Sequence, residues 1–251
     1  MKRLIHVPLS PFGRCVRLVL AEKGVAAELE EAPETPGAAA AFALRMGAAA
    51  VYATTGPSAP PFDAPLNPLL LGVEDAPDGA VAGARAICEY LEESEPGRSL
   101  TPEGLGARAE MRRLVEWAET RFWRHAVEPR LSERYLKRRH HAGAPDVQRL
   151  RAAGHAGRAL FRTAAELLEP RRWLVGENLS LADFALAAQI SVLDYLGDPP
   201  WIEGETGRLV DGVAAARDWY ALMKSRPAFR GLLADRLIGL PPSDSYGDLD
   251  F

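Results

Sequence analysis

The chain has 251 residues, of which 47% are hydrophobic and 25% charged, and its formal net charge is −4. This length fits one large or two small domains, and the apolar content excludes a mainly disordered chain. No run approaches the ~18 apolar residues that a membrane span needs, and the acidic balance disfavours a chain-wide nucleic-acid binder. We therefore expect neither a membrane nor nucleic acid as a partner. Cys15 and Cys88 form no disulfide framework and, without a signal-peptide pattern, they favour a cytoplasmic protein.

The net charge is the sum of three segments in which acidic, basic and again acidic residues are in excess. Residues 1–107 carry 8 basic and 14 acidic side chains, residues 108–158 carry 13 and 6, and residues 159–251 carry 9 and 14. The basic middle suits either a surface for an acidic polymer or solvated helix faces with charges paired one turn apart, and we favour the second interpretation. His140 and His141 lack a second pair at metal-ligand spacing, so no metal site is expected.

The first hundred residues alternate between strand and helix patterns. Lys2 opens a short strand that Pro8 ends, because proline cannot donate to a sheet ladder. An apolar stripe over 15–21 then predicts a helix with Arg14 on its outer face. Further predicted elements are a strand over 26–32, a short helix over 38–46, a strand over 69–73, a strand at Val81 and a helix over 84–93. This order predicts an α/β domain over 1–97.

From Thr101 onward the apolar pattern has the helical period. Thr101 and Pro102 suit the N-cap and first position of a helix that reaches about Arg139, and we expect Pro129 to break or bend it. Further helices are predicted over 145–168, 180–196 and 210–225, with a short one after Pro227. The sequence therefore predicts a two-domain α+β protein, with an all-α domain over 98–240 and a tail over 241–251.

The most specific local motif is the capping box Ser180-Leu181-Ala182-Asp183, in which each polar side chain can bond the other's backbone N–H. With residues 173–179 before it and 226–229 downstream, this motif resembles the helical C-terminal domain of cytosolic glutathione transferases. Residues 10–18 and 84–93 are similar to the first and last helices of their thioredoxin-like domain. The resemblance implies a thioredoxin-like N-terminal domain followed by an all-helical domain.

The resemblance also implies three features that would bind glutathione. Ser10 stands where a hydroxyl would hold the glutathione thiolate at a helix N-terminus, although it also suits a plain capping serine. Asn67 and Pro68 occupy the place of the residue and cis-proline that pair with the glutathione backbone. Where an acidic residue and a serine would hold the γ-glutamyl group, the sequence has Gly83 and Ala84. Because losing the partners of a charged group costs about two decades of affinity, we expect no cofactor and little or no glutathione binding.

The C-terminal tail carries a narrower resemblance. It ends in Asp248-Leu249-Asp250-Phe251, an acidic and hydrophobic peptide with a free carboxylate. Together with residues 193–201 and 234–237, this ending resembles the FtsZ-localised, glutathione-transferase-like (FzlA-type) family of alphaproteobacteria. Members of that family are division factors that bind FtsZ filaments as dimers through the tail.

This second resemblance implies a homodimeric cell-division scaffold, with FtsZ as its partner and Asp248, Leu249, Asp250 and Phe251 as the contact residues. Other hypotheses remain beside it. One is a glutathione transferase that uses Ser10, and another is a general carrier of electrophiles or hydrophobic ligands that uses the cleft between the domains. The tail itself has a second interpretation, in which it folds back onto the helical domain.

Overall fold

The computed structural model describes residues 1–32, 68–76 and 79–248. The chain separates into two compact units, Met1–Arg98 and Ser99–Phe251. Several predicted features lie outside the described residues: the helix over 38–46, Asn67, Leu249, Asp250 and Phe251.

The first unit is built on a mixed four-stranded sheet. Its described elements are β1 (Lys2–His6), α1 (Pro11–Glu22), β2 (Ala27–Glu31), β3 (Leu69–Leu71), β4 (Ala80–Ala82) and α2 (Ala84–Ser94). The strand order is β2-β1-β3-β4, in which β1 runs parallel to β2 and antiparallel to β3. The strand–helix–strand opening and the mixed sheet confirm the predicted thioredoxin-like α/β architecture.

Helix α1 packs against α2 through the apolar stripe that the sequence predicts. Lys23, just after α1, forms an ion pair of 2.7 Å with Glu92 near the end of α2. The prediction for Arg14 is wrong, because this side chain is fully buried. Its Nε donates a hydrogen bond of 2.9 Å to the carbonyl of Pro8, so the guanidinium fastens the loop that precedes the helix.

Over the described residues 99–248, the regular structure of the second unit is helical apart from one short two-stranded ribbon. Its elements are α3 (Leu105–Trp117), a π-helical segment (Ala118–Val127), α4 (Glu128–Leu131), a second π-helical segment (Ser132–Leu136), α5 (Lys137–Arg139), α6 (Val147–Leu168), α7 (Leu181–Tyr195), β5 (Ile202–Glu203), β6 (Arg208–Leu209), α8 (Ala214–Lys224) and α9 (Arg230–Leu233). Every residue of α7 is buried, so this helix forms the core. Helix α3 and the first π-helical segment pack against α7, and α8 packs on α6.

One boundary prediction for the second unit is wrong: the first helix begins at Leu105, after Gly104, and Thr101 does not cap it. Residues 105–139 then run on as successive α and π turns, so Pro129 does not break the helix, while a bend at Pro129 stays a prediction. A π-helical segment ends just before Glu128, and Pro129 follows at the second position of α4. Proline has no N–H and crowds the preceding helical turn. The π-helical turn before Pro129 is wider than an α turn, so it accommodates the proline ring.

Candidate functional site

The sheet of the first unit brings three predicted glutathione-site positions to one end. Strand β1 leads into the loop that carries Ser10, and Ile5 near its end pairs with Leu69 of antiparallel β3. Pro68 therefore lies at that end of the sheet, where its carbonyl accepts a hydrogen bond of 3.0 Å from the N–H of Gly83. Pro68 is buried, and the peptide bond that precedes it involves a residue outside those described. Its cis geometry therefore stays a prediction.

Ser10 is fully buried and caps helix α1. Its Oγ accepts a hydrogen bond of 3.3 Å from the N–H of Gly13, and its carbonyl accepts one of 2.9 Å from the N–H of Arg14. Pro11 occupies the first helical position, where a missing N–H costs nothing. The hydroxyl therefore has a structural task at the helix N-terminus. Stabilisation of a thiolate by the same hydroxyl stays a prediction.

Gly83 and Ala84 stand directly at the start of α2. Gly83 has a φ of 90° and provides no side-chain hydrogen bond to the helix. A Cβ at this position would meet no atom within 4 Å, yet the positive φ disfavours any residue with a side chain. Ala84 is buried and has no hydroxyl. Neither residue supplies the carboxylate or hydroxyl that the family pattern places here.

Other kinds of site find little support in the described chain. Within residues 1–32, 68–76 and 79–248, no group of three or more His, Cys, Asp or Glu side chains is placed to hold a metal ion. None of the described helices is both long and apolar enough to cross a membrane. Cys15 and Cys88 are buried on α1 and α2 and form no disulfide.

The tail is fastened to the second unit before its last residues. The N–H of Ser243 donates to the carbonyl of Tyr195 at 2.9 Å, and its Oγ donates to the carbonyl of Asp194 at 2.7 Å. Tyr246 is fully buried, and its hydroxyl donates a hydrogen bond of 3.0 Å to the carbonyl of Leu232. The first part of the tail therefore folds back onto the helices. The second interpretation of the tail, in which it folds back, therefore applies to residues 243–246, although the sequence prediction did not single out Tyr246 as the anchor.

Two described residues follow Tyr246. Gly247 and Asp248 are exposed, and the N–H of Asp248 donates to the carbonyl of Ser245 at 3.1 Å. This bond follows a short 3-10 turn over Asp244–Gly247. Asp248 is thus the one predicted contact residue that the described chain includes, and it follows directly on the anchored segment.

Part of the basic segment over 108–158 is built into the core. Arg130 is buried, and its guanidinium pairs with Asp198 and donates to the carbonyl of Ala126 at 3.0 Å. Glycines of α6 leave room for it. A Cβ at Gly154 would lie 3.4 Å from Arg130 Nη2, and a Cβ at Gly157 would lie 3.5 Å from Nη1. This arginine therefore stabilises helix packing.

The Glu133 carboxylate interacts with three donor groups of the same region. It accepts hydrogen bonds from the N–H of Asp146 at 2.7 Å and from Arg149 at 2.9 Å, and it pairs with Lys137 at 2.6 Å. Burial would raise the pKa of Glu133, but these three interactions outweigh it and lower the pKa to about 2. Arg149 also binds both oxygens of Glu128, at 2.6 and 2.8 Å. Of these pairs, only Glu133 with Lys137 is one turn apart, as the second interpretation expects, whereas the pairs with Arg149 join residues 16 and 21 positions apart.

The remaining basic side chains of the segment are mostly exposed: Arg112, Arg113, Arg121, Arg124, Arg134, Arg138, Arg139 and Arg151. Arg113 forms an ion pair with Glu110 one turn away, at 2.7 Å. Exposed pairs of this kind contribute at most about 1 kcal/mol to stability. A surface for an acidic polymer therefore stays a hypothesis for this segment.

No protein-family model matches the chain, but individual proteins match it over its full length. It is 36% identical over 256 residues to the FtsZ-localized protein A of Caulobacter vibrioides, covering 100% of this chain and 98% of that protein. Among solved structures, it is similar to FzlA from C. crescentus, with a TM-score of 0.83, 35% identity and coverage of 100% and 99%. A glutathione S-transferase from Rhodospirillum rubrum matches with a TM-score of 0.81, 38% identity and full coverage of both chains. The chain therefore belongs to the glutathione S-transferase superfamily and, within it, to the FzlA-type proteins.

Proposed function

We propose that this protein is a cytoplasmic cell-division scaffold that binds FtsZ filaments through its C-terminal tail at the division site. Its full-length similarity to FtsZ-localized protein A, at 36% identity, supports this proposal. The anchored tail supports it further, because the exposed residue Asp248 follows directly on a segment held in place by hydrogen bonds. A pre-ordered element loses less conformational entropy when it binds a partner.

This proposal includes weak or absent glutathione transferase activity. The main support is that Gly83 and Ala84 have no polar side chains. The start of α2 offers neither a carboxylate nor a hydroxyl to the γ-glutamyl group. A charged ligand that finds no polar side chains there loses roughly two decades of affinity. Ser10, meanwhile, already has a hydrogen-bonding task within α1.

Co-sedimentation with FtsZ polymers tests the tail. The full-length protein is expected to pellet with FtsZ, and a chain ending at Gly247 is expected to stay in solution. The double variant Leu249→Ala, Phe251→Ala should behave like the shortened chain. Leu209→Ala is the matched control, because Leu209 is another exposed apolar residue, 54% exposed, and lies in β6. Equal pelleting of the full-length and shortened chains would refute the proposal.

We also propose that the protein is a homodimer. The first 107 residues carry an excess of acidic groups and residues 108–158 an excess of basic groups, so two copies can pair opposite charges. Salt at ~150 mM screens such charges beyond about 8 Å, so their effect is on orientation and association rate. Sedimentation velocity at micromolar concentration should give a dimer, and a monomer at that concentration would contradict this.

A second candidate function is conjugation of glutathione to electrophiles. The position of Ser10 at the N-terminus of α1 favours it, since the helix dipole stabilises an anion there. Calorimetric titration separates the two functions. Heat and a thermal shift at millimolar glutathione, both lost in Ser10→Ala, would favour the transferase. We expect neither signal from the unmodified protein.

A further inference from the structure

Lys224, the last residue of α8, carries a fully buried ammonium group. Its Nζ lies 3.0 Å from Oδ2 of Asp194, and the hydroxyl of Tyr220 donates to the same oxygen at 3.1 Å. Asp194 is also buried, near the end of α7. Because a buried charge is tolerated only when it is paired, the surroundings of this ammonium must remain closed to keep the pair in place.

The tail closes the surroundings of this ammonium. The Lys224 Nζ lies 5.9 Å from the ring centre of Tyr220 and 5.8 Å from that of Tyr246, so two aromatic rings flank the cation. The carbonyl of Ser245 lies 3.5 Å from the same nitrogen. Tyr246 and Ser245 belong to the tail, whereas Tyr220 belongs to α8. We call the groups around this ammonium the cage: the Asp194 carboxylate, the rings of Tyr220 and Tyr246, and the carbonyl of Ser245. The tail therefore supplies part of the cage.

The end of α7 holds the tail at a second place beside the cage. The rings of Tyr195 and Tyr246 meet edge to face, with their centres 5.1 Å apart. Ser243 donates to the carbonyls of both Asp194 and Tyr195, which lie in the last turn of α7. The last carbonyls of a helix lack their usual partner within it, and residues after the helix bond these two: the N–H of Gly197 donates to Asp194 at 3.0 Å, and Ser243 donates to both. Docking of the tail and burial of Lys224 therefore depend on each other.

We propose that Lys224 and Tyr246 are positioning residues for partner binding. The cage fixes the position of Tyr246, two residues before Asp248, so the partner meets contact residues whose preceding segment is already ordered. Without the cage, that segment loses its fixed position and the partner must order it as well. Ordering each additional residue opposes binding, because it costs conformational entropy. This inference rests on the proposed binding of FtsZ by the tail.

Substitutions at position 246 test the cage from the tail side in the full-length protein. Tyr246→Ala removes the ring, and Tyr246→Phe keeps the ring but loses the hydroxyl bond to Leu232. Hydrogen exchange at the N–H groups of Ser243, Tyr246 and Asp248 reports docking, and co-sedimentation reports FtsZ affinity. In Tyr246→Ala we expect faster exchange at these three amides, unchanged exchange within α7, and FtsZ affinity reduced about tenfold or more. Tyr246→Phe should restore most of the affinity.

A variant of the lysine tests the cage from the helix side. Lys224→Met keeps the length of the side chain and removes its charge, and we expect it to release the tail. Lys23→Met is the matched control, because Lys23 also forms a buried ion pair, with Glu92 in the first unit. The control should lose stability without faster exchange in the tail and without weaker FtsZ binding.

The outcomes separate this inference from the proposed function. If the chain ending at Gly247 loses FtsZ binding while Tyr246→Ala shows a released tail with unchanged affinity, the positioning role is refuted and the tail function stands. Unchanged exchange at Ser243 and Asp248 in both Tyr246→Ala and Lys224→Met would also refute the cage. If the chain ending at Gly247 still binds FtsZ, the proposed function fails and the positioning role fails with it.

Discussion

The indole Nε1 of Trp219 donates a hydrogen bond of 2.9 Å to Oδ1 of Asp183 in the buried core of the second unit. The same oxygen accepts the N–H of Leu174 at 3.0 Å. The other oxygen, Oδ2, accepts the N–H and the Oγ of Ser180, each at 2.9 Å. One carboxylate thus joins the capping box of α7 to the segment before it and to α8.

Removing this carboxylate should destabilise the second unit strongly. Asp183→Ala leaves four buried donors without their acceptor, so we expect a loss of about 3 to 5 kcal/mol in the free energy of unfolding. Trp219→Phe removes one donor and part of a ring, and it should cost about 1 to 3 kcal/mol. Urea unfolding followed by circular dichroism measures both. A loss below about 1 kcal/mol in Asp183→Ala would contradict the central role of this carboxylate.

The interactions of Glu133 predict a specific acid sensitivity. Its pKa falls from 4.5 to about 2 on folding, so its contribution is present above pH ~4.5 and is lost as the pH falls towards 2. The shift corresponds to about 3 kcal/mol of stability at neutral pH. Glu133→Gln should therefore be less stable at pH 7 and lose less stability between pH 5 and pH ~2. Parallel pH curves for the two proteins would rule out this assignment.

The capping role of Ser10 can be measured apart from any catalytic role. Ser10→Ala removes the acceptor of the Gly13 N–H, so we expect a loss of about 1 kcal/mol in stability. Ser10→Thr keeps a hydroxyl acceptor and should recover part of that loss. Thermal unfolding of the three proteins provides the comparison. If Ser10→Ala leaves stability unchanged while abolishing conjugation of glutathione, the hydroxyl has a catalytic task instead.

Two helical glycines should respond in opposite ways to the same substitution. A Cβ at Gly13 would lie 2.9 Å from the Cβ of His6, so Gly13→Ala must displace the start of α1 from β1. We expect it to cost about 1 to 3 kcal/mol. A Cβ at Gly106 in α3 meets no atom within 4 Å, so Gly106→Ala should stabilise by up to about 1 kcal/mol. Chemical denaturation measures both, and equal shifts would disprove the clash.

Features encoded over a few residues were predictable from sequence. The capping box of Ser180 and Asp183 forms as expected, because each partner lies within one helical turn of the other. The alternation of strands and helices and the later helical period also appear in the structure, since they reflect which faces must be buried. Pro129 shows the limit of local rules, because its effect depended on a π-helical segment that propensity does not predict.

The sequence by itself determined the order of the elements, the resemblance to glutathione transferases and the absence of polar side chains at Gly83-Ala84. Only the tertiary structure decided that Arg14 is buried, that Asp183 also binds Trp219, and that Tyr246 flanks Lys224. The reason is physical: a buried charge is stable only beside its partners. Trp219 lies 36 positions from Asp183 along the chain, and the Pro8 carbonyl that Arg14 binds is placed by the path of the intervening loop. The formal net charge of −4 therefore says little about charge pairing, because the fold pairs some charges internally, such as Arg130 with Asp198.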